Sequence, residues 1–139
     1  MKIAQHEPSF DEKEARAVYR YMRSGGWLME FKKTEELEHA LAKFTGAKHA
    51  IMASNATIAL TMALMALGLK RGDEVLVPDL TMIATPNAAA LIGVRPVFVD
   101  VEPETLCMNM KDARGRITKK TRAMIYVSLH GRSGDMNAI

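Results

Sequence analysis

A single cysteine, Cys107, stands in 139 residues. No internal disulfide can form, and the chain fits a reducing compartment, which makes the cytoplasm the expected location. Aromatics are equally sparse at 6%, with one Trp, and none interleaves with the one basic cluster, Lys119-Lys120-Thr121-Arg122. The formal charge is +3 and the pI about 9.1, but the other cations are scattered along the chain. That argues against a nucleic-acid surface, which needs a clustered basic face. The longest uncharged apolar run, Asn55 to Leu69, is shorter than the roughly 20 residues a bilayer span requires, so it reads as a core helix. The start, MKIAQHEPSFDEKEA, has no apolar stretch behind its lysine and is not a signal peptide. Neither GxGxxG nor GxxxxGK[ST] occurs, which removes the two common nucleotide-phosphate loops, and no GxSxG elbow occurs. His6, His39, His49 and His130 are isolated, with no metal-ligand spacing.

What is present is an ordinary globular composition, 48% hydrophobic and 25% charged, in a chain long enough for one domain with a core. The stretch that organises it is Lys48 to Leu67, KHAIMASNATIALTMALMAL. An apolar run from His49 to Ala53 predicts a buried strand, Ser54-Asn55-Ala56-Thr57 a tight polar turn, and the Ala/Leu/Met-rich remainder a buried helix closed by Gly68. Free backbone N–H groups and the positive end of the helix dipole would meet at that turn. Two readings stay open there. The turn is either a site for a phosphate or carboxylate, with the Thr57 hydroxyl adding to the amides, or a plain structural cap by Ser54 or Asn55.

Before that stretch, Ser9 with Glu12 has the form of a capping box, leading a helix with Ala15, Val18, Tyr19 and Met22 at helical spacing and ending at Gly25-Gly26. The apolar Trp27-Leu28-Met29 loop is either a contact with another segment or subunit, or local core. Thr34 followed by Glu35 and Glu36 predicts a second helix start, with Leu37, Ala40, Leu41 and Phe44 as its buried stripe and Gly46 as a left-handed cap. Further on, Glu74 to Pro78, Arg95 to Asp100 and Ala123 to Val127 read as strands. A helix is expected near Ile83 to Ile92, its true start near Thr85 because Pro86 suits a first turn. Val101 to Asn109 reads as irregular, Lys111 to Arg116 as at most one helical turn, and Asp135 as a helix cap. Strands separated by crossover segments predict an α/β fold with a mostly parallel sheet covered by helices. Loops at the carboxyl ends of such strands, here Pro78–Thr85, Asp100–Glu104 and Ser128–Gly134, gather on the edge where ligands bind. Four strands with only part of their covering helices also read as a piece of a longer chain.

These motifs, in this order, resemble the DegT/DnrJ/EryC1/StrS family of sugar aminotransferases, fold-type-I enzymes dependent on pyridoxal 5'-phosphate (PLP). The resemblance rests on Gly46-Ala47-Lys48, Ser54-Asn55-Ala56-Thr57, Gly72-Asp73-Glu74-Val75, Thr81-Met82-Ile83-Ala84-Thr85, Pro96 to Asp100, and His130-Gly131 through Asp135-Met136-Asn137-Ala138-Ile139. Pro8, Ala17-Val18 and Ser24-Gly25-Gly26-Trp27 fit the family's opening. The match implies an incomplete large domain over residues 1–139, with an N-terminal helix and loop in 1–33 and the α/β core in 34–139. It implies that Asn55, Ala56 and Thr57 hold the cofactor phosphate. Met82 would cover the cofactor ring where the family usually has an aromatic, a role a thioether can fill. The Schiff-base lysine and the acid that pairs with the pyridinium nitrogen would lie beyond Ile139, so no catalytic residue is assigned in this chain. The implied partners are a nucleotide-sugar substrate and an amino donor, glutamate by expectation, with a homodimer as the assembly and neither nucleic acid nor membrane. LTMIATPNAA leans towards enzymes that aminate nucleotide-linked 4-keto-6-deoxy sugars, such as perosamine or viosamine synthases. The alternatives are a dehydratase of the same family and a non-catalytic partner subunit of the same fold.

Overall fold

The computed structural model describes residues 7–25 and 32–139. Its backbone forms two compact units, Met1–Met52 and Ala53–Ile139. In the first, α1 spans Glu12–Arg23 and α2 spans Lys32–Thr45. The capping box of α1 is Asp11 with Glu14, two residues beyond the Ser9–Glu12 pair expected from sequence. The Asp11 carboxylate accepts from Lys13 N–H at 2.6 Å, and Glu14 accepts from Asp11 N–H at 2.7 Å. A carboxylate is a stronger acceptor than a hydroxyl and also faces the positive end of the dipole, which settles the register. The helix ends at Ser24, and Gly25 follows at φ +70°. Gly46 takes φ +72° after α2, as expected of a left-handed cap. The stripe expected to be buried on α2 is open instead: Leu37, Leu41 and Phe44 are all exposed. The Trp27 loop lies outside the described residues.

The second unit is built on a parallel sheet. Its strands are β1 (Glu74–Pro78), β2 (Arg95–Val99) and β3 (Thr121–Met124), in the order β2-β1-β3. β1 is central and buried at all five positions, the continuous apolar reading of a strand covered on both faces. Its residues divide between two cores. Val75 and Val77 pack with Leu64 of α3 (Ala56–Ala66) and with Ala88 and Ala89 of α4 (Ala84–Ala90). Leu76 points the other way, to Val99, Met108 and Ala113 of α5 (Met110–Gly115). Strand alternation therefore places α3 and α4 on one face and α5 on the other. This is the α/β layer expected from sequence.

Two expectations about strands change. His49 to Ala53 forms no strand: the parallel sheet is β2-β1-β3 and does not include it. The last strand is Thr121–Met124 rather than Ala123–Val127. A register shift beside Glu74 starts its pairing at Thr121. Ile125 N–H still donates to Leu76 O at 2.9 Å, after which the chain leaves the sheet. Val101 and Met108 form an antiparallel bridge inside the segment read as irregular.

α3 leads into the amino end of β1 and α4 into the amino end of β2. Their terminal turns meet, with Gly72 N–H donating to Gly93 O at 3.3 Å. Both helices therefore run against the strands. Their N-termini lie towards the sheet's carboxyl edge, where the loops after β1, β2 and β3 also emerge.

Candidate functional site

The α3 N-terminus is made by Asn55, whose extended backbone (φ −166°) lets its Oδ1 accept from Ile58 N–H at 3.0 Å. That bond satisfies the third amide of the helix. The Ala56 and Thr57 N–H groups come before any i−4 partner, and no hydrogen bond reaches them among the described residues. The two readings of the turn are thus compatible in one geometry. Asn55 caps the third amide, while the first two remain available with the positive end of the dipole. Asn55 and Ala56 are exposed and Thr57 is half-buried. No acid lies in the first turn of α3 to oppose an anion.

That local potential is set in an acid-rich surround. Asp79, Asp100, Glu102, Glu104, Asp112 and Asp135 all follow strand ends on this side, against Lys111, Arg114, Arg116 and Arg132. An anion would therefore be held at α3 by amides at close range rather than drawn in by the wider field.

Met82 lies in the turn between β1 and α4. Thr85 N–H donates to Met82 O at 2.9 Å, and the Thr81 and Thr85 hydroxyls bond each other at 2.9 Å. The turn is fixed while the Met82 side chain is 72% exposed. Thr61 couples the two helices. Its buried hydroxyl donates to Ala88 O of α4 at 3.1 Å and also lies 2.9 Å from Thr57 O. No backbone amide among the described residues reaches Ala88 O, because the last turn of α4 tightens and Ile92 N–H goes to Ala89 O. One buried threonine thus supplies the partner that α4 lacks and anchors α3 one turn beyond Thr57. Thr61 carried no signal in the sequence beyond being a polar residue in an apolar helix.

A second cluster absent from the sequence reading holds the loop after β3. The Tyr126 hydroxyl accepts from Gly134 N–H at 2.9 Å. The buried Cys107 thiol lies 3.6 Å from Arg132 O. A Cβ on Gly134 would stand 2.4 Å from the Tyr126 hydroxyl and 3.0 Å from Cys107 Cβ, so only glycine fits. The neighbouring Cys107 thiol, and then burial, raise the Tyr126 pKa above its ordinary value, while the Gly134 N–H pulls it down. Within the clasped loop, His130 holds φ +53°, uncommon for a residue with a Cβ. At the start of α5, the Arg116 side chain and then Asp100 N–H hold the Asp112 carboxyl below its ordinary value. This pair ties α5 to the end of β2, with Asp100 N–H donating to Asp112 at 2.8 Å.

A cavity of about 670 Å³ lies on the α5 side between Glu102, Met108, Lys111, Arg114 and Asp135. None of Asn55, Ala56, Thr57 and Met82 lines it. Among the described residues, no group of three or more His, Cys, Asp or Glu side chains could hold a metal ion. None of the described helices is long and apolar enough to cross a membrane.

Known proteins match this chain along nearly all its length. A UDP-4-amino-4-deoxy-L-arabinose–oxoglutarate aminotransferase of Shewanella sediminis is 39% identical over 132 residues, covering 95% of this chain and 34% of that protein. A GDP-perosamine synthase of Vibrio cholerae is 36% identical over 137 residues, covering 99% of this chain and 37% of that protein. A Streptococcus pneumoniae protein solved in PLP and PMP forms superposes with a TM-score of 0.91 at 33% identity, over 99% of this chain and 35% of that one. The chain thus spans about a third of the length of the curated relatives it matches. With residues 8–139 matched by the family's own model, the chain belongs to the DegT/DnrJ/EryC1/StrS aminotransferase family.

Proposed function

We propose that this chain is the phosphate-holding portion of a PLP-dependent aminotransferase that aminates a nucleotide-linked 4-keto-6-deoxy sugar, with glutamate as donor. One observation carries the reading. The amides of Ala56 and Thr57, which no hydrogen bond reaches among the described residues, stand at the positive end of an acid-free helix start, on the carboxyl edge of a parallel sheet. The donor set fits a phosphate monoester: two amides, the half-buried Thr57 hydroxyl, and Asn55 holding the turn in shape. Met82, in its fixed turn on the same edge, would cover one face of the cofactor ring. When bound, PLP acts as an electron sink for bonds broken next to nitrogen.

The residues of this chain bind and orient; no proton-transferring group is assigned among them. Thr61 keeps the two helix starts in register, and the Tyr126–Gly134 clasp keeps the His130 loop at the rim of the same edge. The full protein would continue this layer as a large domain, with 34–139 in its α/β core and 1–33 as a leading helix and loop. It would act as a homodimer in the cytoplasm. The sugar relatives support the substrate class, and the PLP and PMP forms of the pneumococcal protein support the cofactor.

The test is Thr57→Val in the whole protein. The change keeps the shape and removes the hydroxyl, so PLP affinity should fall roughly tenfold, the effect of losing one hydrogen bond to a charged group. Thermal stability should stay within about 0.5 kcal/mol. Equal PLP affinity in wild type and variant would remove Thr57 from the site.

A further inference from the structure

The cations that look scattered in sequence converge in space on the sheet's amino edge, opposite the candidate site. Lys70 and Arg71 lie in the turn before β1, Arg95 opens β2, and Lys119, Lys120 and Arg122 flank the start of β3. The register brings them together: Glu74 is level with Arg95 on one side and Thr121 on the other, and Glu74 N–H donates to Lys120 O at 2.9 Å. All six basic residues are exposed.

The edge's two acids are turned inward and occupied. Glu74 is buried, accepting from the Thr118 hydroxyl at 2.6 Å and facing Arg95 at 3.4 Å. Asp73 accepts from Lys70 N–H at 2.9 Å and pairs with Arg122 at 3.6 Å. Six cations against two acids leave a surplus of four on one edge, more than the +3 of the whole chain.

Three aliphatic tips surround this field. The C-terminal ends of α3, α4 and α5 each carry one, with Leu67 71%, Leu91 62% and Ile117 59% exposed. Cations beside helix C-termini complement the dipoles, but that does not explain protruding leucine and isoleucine on both faces of the sheet. Aliphatic tips ringed by Lys and Arg, with no aromatic among them, suit neither base stacking nor a single anchoring pocket. They suit a plane of anionic headgroups, where tips enter the interface and cations meet phosphates.

We propose that the amino edge of this unit docks on the surface of an anionic lipid bilayer. The molecule is polarised for it, since docking this way leaves the acid-rich carboxyl edge facing water. The inference does not depend on the cofactor reading, and its test uses no cofactor.

The test is co-sedimentation of the whole protein with vesicles of phosphatidylcholine alone or with 30% phosphatidylglycerol, at low and at high salt. Binding should require phosphatidylglycerol and fall at least about tenfold when salt screens the surface. Lys119→Glu with Lys120→Glu should abolish it while the circular dichroism melt is unchanged, because both side chains are exposed. Leu67→Ser with Leu91→Ser should weaken it several-fold with charge unchanged. Absence of phosphatidylglycerol-dependent binding, or equal binding by the Lys119/Lys120 variant, would overturn the proposal. Tighter retention on poly-U RNA than on the vesicles, lost in the same variant, would also overturn it, in favour of a nucleic-acid surface.

Discussion

Replacing Thr61 by valine tests the join on which the candidate site depends. The side chain is 8% exposed, so water cannot take over its bonds. Valine nearly matches the shape of threonine, and cavity formation is not at issue. What is lost is the donor to Ala88 O at 3.1 Å, leaving a buried carbonyl that no described amide reaches. The expected cost is about 1–3 kcal/mol, the penalty for an unsatisfied buried polar group. Thr57 O, the hydroxyl's other partner, keeps the ordinary helical amide and adds little. Urea unfolding of the whole protein should show the midpoint lowered with the slope unchanged. Thr61→Ser, which keeps the hydroxyl, should recover most of the loss. PLP affinity should fall in the valine variant and return with serine, because Thr61 holds α3 against α4 one turn beyond Thr57. Wild-type stability in Thr61→Val, or a serine variant as weak as the valine one, would refute this account of the α3–α4 join.

Other consequences can be measured directly. Asn55→Ala should destabilise by about 1 kcal/mol, the usual loss for an N-cap, seen as a lower urea midpoint. Gly134→Ala should loosen the loop after β3, since its Cβ would fall 2.4 Å from the Tyr126 hydroxyl; limited trypsin digestion at the exposed Arg132 should speed up, and an unchanged rate would count against the clasp. Asp112 has a folded pKa below its ordinary 3.8, so its contribution is full above that value and is lost as pH falls through the lower folded one. In Asp112→Asn the acid-side fall of the melting temperature should be shallower. Tyr126 is shifted the other way, above 10.0, so its contribution is full below that pH and is lost as pH rises through the higher folded value. Tyr126→Phe should flatten the alkaline limb of the stability profile.

Several elements were legible because their determinants lie within a few residues. Glu74–Pro78 was read at its observed bounds, from a β-branched run between a Gly-Asp turn and a proline. Gly46 and Gly68 take the positive φ values their positions as helix stops imply. Asp135 accepts from Asn137 N–H as a cap should, at 3.0 Å. The misses arose where a local signal had two solutions or needed a distant partner. Ser9–Glu12 and Asp11–Glu14 both have box spacing, and the stronger acceptor prevailed. His49 to Ala53 is apolar enough for a strand, yet the β2-β1-β3 sheet does not include it. The Asn55–Thr57 turn was visible because small polar residues before an uncharged apolar helix are a local pattern, whereas the Thr61–Ala88 bond crosses 27 positions.

The sequence by itself determined the α/β class, the helix stops, the central strand and the helix start that frees two amides, because capping, turn chemistry and side-chain periodicity act over one turn or one strand. Only the tertiary structure decided which strands pair, which carbonyl Thr61 satisfies, and that cations far apart in the chain share one edge. Parallel strands begin on the same side of a sheet, so residues preceding each of them are brought together by strand order, a property no short window of sequence contains.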